Sequence, residues 1–81
     1  MNNLGVVALE DKNYDAAENW FRRALSIDSR HGKTHFLLAK TLLAEGKPQE
    51  AEREIDTAIE LEPNRREFKE LKQTLSERSR S

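Results

Sequence analysis

No cysteine occurs in the 81 residues. Disulfides and thiolate metal sites are therefore excluded. An excess of one charge sign is also missing, with 14 Lys/Arg against 15 Asp/Glu and a net charge of −1. That balance argues against a general nucleic-acid binder, so no nucleic-acid partner is expected. No apolar run approaches the roughly 20 residues of a membrane span, and no charged-then-apolar signal segment opens the chain. The default expectation is a soluble cytoplasmic protein with no membrane partner, or a piece of a longer chain. Apolar residues are few as well, 36% against an equal 36% charged. One compact core from that supply would be marginal at this length, so regular helix stacking has to help.

Glycine and proline are limited to Gly5, Gly32, Gly46, Pro48 and Pro63. The remainder is rich in Ala, Leu, Glu, Lys and Arg, which favour helix. Nothing alternates with period two over a useful length. Ala17, Phe21, Ala24 and Leu25 recur at helical spacing, as do Leu38 and Leu42, then Ala51, Ile55, Ala58 and Ile59. Phe68, Leu71 and Leu75 form a narrow stripe on a highly charged segment. Gly46 can take the left-handed conformation that ends a helix, and Pro48 suits the first turn of the next. Asp11, Lys12 and Asn13 should form the matching turn in the first half, where a left-handed non-glycine residue costs about 1 kcal/mol. Two further joints lie around Ser29 and Pro63. The expected helices span about 2–11, 14–27, 31–44, 48–61 and 64–78. Each alone is marginal in water, so packing must hold them.

Shifted by 34 residues, the chain lines up with itself. Leu4 falls on Leu38, Gly5 on Ala39, Ala8 on Leu42, Ala17 on Ala51, Phe21 on Ile55 and Ala24 on Ala58. Leu25 then meets Ile59, Ile27 meets Leu61, Asp28 meets Glu62 and Ser29 meets Pro63. Size class is kept at almost all of these positions. Close packing explains it: Gly5 and Ala39 let the two helices of a hairpin approach, Ala17, Ala24, Ala51 and Ala58 do the same from the second helix, and Phe21 and Ile55 fill the space between.

The period and pattern resemble the tetratricopeptide repeat, TPR, with its Trp-x2-Leu-Gly-x2-Tyr, Ala-x3-Phe and Pro signature. The first copy reads Met1-x2-Leu4-Gly5-x2-Ala8, Ala17-x3-Phe21, Ser29. The second reads His35-x2-Leu38-Ala39-x2-Leu42, Ala51-x3-Ile55, Pro63. The Trp and Tyr slots are replaced in both copies. The resemblance implies an all-α, TPR-like α-solenoid: two antiparallel helical hairpins plus a C-terminal capping helix, with right-handed superhelical stacking. A single domain is expected over 1–78, divided into a truncated first repeat (1–29), a second repeat (30–63) and the capping helix (64–78), with a flexible tail at 79–81. Met1 falls on the Trp slot, so the first repeat lacks its initial turn, as in the tail end of a longer array or a protein that natively starts there.

In the family, first helices line a concave side where peptides commonly bind. On this chain the resemblance puts Asn2, Val6, Leu9, Lys33, Phe36, Lys40 and Leu43 there, with Glu67 and Glu70 at the far edge. Val6, Leu9, Lys33, Phe36, Lys40 and Leu43 are the candidate partner-binding residues, an apolar groove flanked by two lysines and suited to a peptide or helix. Alternatively, neighbouring side chains or an upstream helix cover the apolar groups. Some TPR domains grip a C-terminal carboxylate with Asn, Lys and Arg; the pattern offers Asn3 and Lys33, but Leu37 occupies the Arg slot.

Other candidates are weaker. His31 and His35 are four residues apart, a metal-binding spacing, yet no Glu or Cys completes it locally; no metal site is expected, and His35 reads as a filler of the aromatic slot. Trp20 is either an exposed hot spot or the cover of a helix seam, with the seam expected. Arg22-Arg23 and Arg65-Arg66 read as solvated faces, and the terminal Arg-Ser pairs as phosphorylation sites or plain tail. There is no Cys nucleophile, glycine-rich phosphate loop or isolated carboxylate pair, so no catalytic residues, no enzyme activity and no cofactor are expected. The expected function is a protein–protein interaction scaffold or adaptor segment whose partner is another protein. The alternatives are self-association into a homo-oligomer through the uncapped N-terminal hairpin, and an accessory segment of a larger enzyme.

Overall fold

The computed structural model describes residues 2–80, with side chains described for residues 3–77. Its helices are α1 (Asn2–Glu10), α2 (Tyr14–Ile27), α3 (Gly32–Ala44), α4 (Pro48–Leu61) and α5 (Arg66–Arg80), and no strand occurs among the described residues. α1 and α2 form one antiparallel hairpin, α3 and α4 a second, and α5 caps the C-terminal side. No helix is long and apolar enough among the described residues to cross a membrane. Met1, expected on the Trp slot, and Ser81 lie outside the described residues.

Both hairpins close with the same turn. Lys12 N–H donates to Leu9 O (3.0 Å) and Asn13 N–H to Ala8 O (2.8 Å). Thirty-four residues on, Gly46 N–H donates to Leu43 O (3.1 Å) and Lys47 N–H to Leu42 O (2.9 Å). This paired bonding needs a left-handed residue after the helix. Gly46 supplies it at φ 81°, while Lys12 adopts it at φ 61° despite its Cβ. Asn13 then caps α2, its Oδ1 accepting from Ala16 N–H, and Pro48 starts α4 where a missing N–H is harmless.

The helices expected at 14–27 and 48–61 have those bounds in the structure. The others shift. Glu10 rather than Asp11 ends α1, because Asp11 enters the turn. α3 starts at Gly32, since His31 is extended and its carbonyl accepts from Thr34 and His35 N–H. α5 starts at Arg66 after a turn in which Arg65 N–H donates to Glu62 O (3.3 Å). It runs to Arg80, so the tail expected at 79–81 is helical through its first two residues. No glycine or proline follows Pro63, and nothing in the sequence stops the helix earlier.

The core is a seam of small and large residues, with Ala17, Phe21, Leu38, Ala39, Leu42, Ala51, Ile55, Ala58, Phe68 and Leu75 fully buried. A Cβ added to Gly5 would strike the Phe21 ring, so this glycine is what lets α1 lie on α2. α3 is enclosed on most sides by its neighbours and buries residues all round its axis. α5 docks through Phe68, Leu71 and Leu75, and Lys72 Nζ reaches back to α4 at Asp56 Oδ1 (2.8 Å) and Glu52 Oε1 (3.5 Å). The hydrogen bond to Asp56 holds the Lys72 ammonium above its usual pKa.

Candidate functional site

α3, the first helix of the second unit, contacts α1, the first helix of the first, and meets α5 through Phe36. Its ring packs on Phe68 of α5, with centroids 5.0 Å apart and planes tilted by 31°. One turn to either side on α3, Lys33 and Lys40 place their Nζ atoms 5.6 Å from the Phe36 centroid. The result is one aromatic ring bracketed by two ammonium groups, at a range where the ring quadrupole attracts a cation. Neither lysine forms an ion pair among the described residues, in contrast to Lys47 and Lys72. Further along, Lys40, Leu43, Ala44 and Leu71 line a shallow concavity of about 430 Å³.

The six expected partner-binding residues divide here. Lys33, Phe36, Lys40 and Leu43 lie along α3, and Leu43 is half-buried at the concavity. Phe36 departs from the expectation of an open groove: only 8% of it is exposed, and Phe68 packs on its ring. For this residue packing prevails, and it forms the floor of the site. Val6 and Leu9 are half-buried on α1 and pack against the core. The side chain of Asn2 lies outside the described residues. Sequence reasoning missed Ala44 and Leu71 as lining groups. Leu71 had a signal, the Phe68-Leu71-Leu75 stripe, but nothing in a stripe says that its middle residue also edges a groove.

A terminal-carboxylate grip is incomplete. Asn3 is exposed and Lys33 half-buried, but Leu37 is 7% exposed and belongs to the core, so the third position holds a buried alkyl group. His31 and His35 do not share an open face. The His31 ring contacts Thr34 Oγ1, while His35 is buried with Nδ1 2.8 Å from Glu54 Oε1 and Nε2 donating to Ser29 O at 2.8 Å. His35 thus ties the α2–α3 joint to α4, a polar role beyond filling the aromatic slot. Among the described residues no three His, Cys, Asp or Glu side chains gather to hold a metal ion. Trp20 is half-buried, with the Arg23 guanidinium 5.6 Å from its ring. Arg22 is engaged by Glu18, and Arg65 by Glu62 and Glu67.

Paired helices repeating at a fixed spacing, joined by identical turns and closed by an amphipathic helix, define a helical-repeat solenoid. The tetratricopeptide repeat profile matches residues 8–75, and the chain belongs to that family. Its structure is similar to the first TPR of Spaghetti (RPAP3) bound to the HSP90 peptide SRMEEVD, with a TM-score of 0.95 and 22% identity. The match covers 99% of this chain and 64% of that one, so this chain spans just under two thirds of its length. At that identity the likeness concerns the fold. No curated protein matches the chain in sequence.

Proposed function

We propose that this chain is a protein-interaction module whose α1–α3–α5 side holds a peptide or helix from another protein, acting by binding and not by catalysis. The observation that carries the reading is the Lys33–Phe36–Lys40 bracket beside the Leu43–Ala44–Leu71 concavity. Two cations without acidic partners next to apolar surface suit a segment that offers a carboxylate side chain and an alkyl or aromatic neighbour. Leu43 and Leu71, together with Val6 and Leu9 on α1, supply apolar burial, and Lys33 and Lys40 select the acidic neighbour. The structurally similar TPR is bound to an acidic peptide, which supports a peptide as the ligand class. The buried Leu37 argues against a grip on a terminal carboxylate of the Asn-Lys-Arg kind.

The test is affinity capture with the wild type and with two surface variants, Lys33→Glu/Lys40→Glu and Leu43→Glu, each checked for helical circular dichroism. The captured proteins should be lost together in both variants. Identical capture profiles from well-folded variants would sink the reading.

A second reading, self-association, draws on Leu4 and Val7. They are one turn apart on α1 and 51% and 55% exposed. Sedimentation equilibrium separates the two: a concentration-independent monomer removes self-association and leaves the concave side as the binding surface. The accessory-segment reading turns on the parent coding sequence.

A further inference from the structure

The joint between the two hairpins holds a group of charges that the concave side does not use. Glu45 closes α3 in a right-handed helical conformation, its N–H donating to Thr41 O at 3.0 Å. Gly46 follows at once in the left-handed turn, which sets where the Glu45 side chain leaves the backbone. The Glu18 and Asp15 carboxyls of α2 are the acidic neighbours that act on that carboxyl. Its Oε1 is buried and has no donor among the described residues. Glu18 is supplied from its other side: Arg22 Nε donates to Oε2 at 2.7 Å, and Lys47 Nζ stands 3.9 Å from Oε1.

The charged groups around this point are Asp15, Glu18 and Arg22 from α2 and Lys47 from the α3–α4 turn. Glu50 and Glu54 of α4 also act on Arg22. Three carboxyl groups therefore share two cations: Arg22 bonds Glu18, and the Lys47 charge acts on both Glu18 and Glu45, on Glu45 more weakly than burial and Glu18 do. A buried carboxylate oxygen with no donor, beside a second carboxylate, is a costly arrangement. One proton removes the cost by turning the repulsion into an O–H···O⁻ hydrogen bond.

We infer that Glu45 is protonated in the folded chain and donates that proton to Glu18, so that the seating of the first hairpin on the second loosens when the proton leaves. The electrostatics agree with the geometry. Burial first, then the hydrogen bond and charge of Glu18, push the Glu45 carboxyl from 4.5 up to about 7. The Arg22 hydrogen bond holds Glu18 below its ordinary value, which makes Glu18 the acceptor. The sign follows from linkage: with the folded pKa above the unfolded one, folding takes up a proton between about 4.5 and 7. Stability is fully present below that window and falls as pH rises through it. The joint positions α1 against α3, so the same proton tunes the concave side near neutral pH.

Urea unfolding of the whole chain between about pH 5.5 and pH 8, followed by helical circular dichroism and Trp20 fluorescence, tests this. The wild-type unfolding constant should rise about tenfold or more across the window. In Glu45→Gln the amide donates at the same place with no proton to lose, so most of that rise should vanish. His31 and His35 are common to both proteins, so the difference isolates Glu45. Parallel profiles for wild type and variant would overturn the inference. Should Glu45→Gln not fold, carbon-13 titration of the wild-type Glu45 carboxyl decides: a midpoint near 7 supports the shared proton, and one in the ordinary carboxylate range refutes it.

Discussion

Replacing Gly5 by alanine tests the closest approach in the fold. The new Cβ would lie against the Phe21 ring, with Cδ1 and Cζ both at 2.8 Å. Phe21 is fully buried, so the ring has little room to yield. Overpacking of this kind costs about 1–3 kcal/mol, while alanine inside a helix returns up to about 1 kcal/mol over glycine. The net expectation is a loss of about 1 kcal/mol, a fall in melting temperature of roughly 4–8 °C for a domain this small. The sharper measurement is a double-mutant cycle with Phe21→Leu. That change alone opens space and destabilises, but it also removes the ring atoms that the new Cβ would meet. The pair should be favourable to each other by about 0.5–3 kcal/mol in urea unfolding. Additive effects would refute the claim that Gly5 exists to admit Phe21.

Five other substitutions probe separate parts of the fold. Lys12→Gly relieves a left-handed lysine and should raise stability by about 0.5–1 kcal/mol, whereas Gly46→Ala at the matching position should lower it by about 1 kcal/mol; equal effects of the same sign would contradict the shared turn. Ala58→Leu, at a fully buried seam position, should cost about 1–3 kcal/mol by thermal melting. Lys72→Met should lower stability by less than about 1 kcal/mol, because its partners Asp56 and Glu52 are largely solvated. Glu18 has a lowered pKa through Arg22, so its contribution is present above the usual carboxylate value and is lost as pH falls below it; Glu18→Gln should flatten that acid limb of the stability curve.

Much of the fold can be read from the chain because its punctuation is local. Pro48 and the pattern around Asn13 start helices, and Gly46 and its counterpart Lys12 end them, each through bonds spanning a handful of residues. The 34-residue register pairs Ala17 with Ala51 and Phe21 with Ile55, and such size matching needs no structure to be seen. The candidate site was legible only in part. Lys33, Lys40 and Leu43 follow from laying the chain on the repeat family's pattern. Whether the ring between the two lysines is open does not, because the residue that covers it, Phe68, belongs to another helix.

The sequence by itself determined an all-helical repeat, the ends of its hairpins and the close approach at Gly5, since these depend on residue size, backbone freedom and neighbours within a turn or two. Only the tertiary structure decided that Phe36 is a floor and not a contact, that His35 ties Ser29 to Glu54, and that Glu45 meets Glu18 across the joint. Each of these is a contact between helices. Its energy depends on desolvation and on partners far away in the chain, and helical periodicity along one segment carries no information about either.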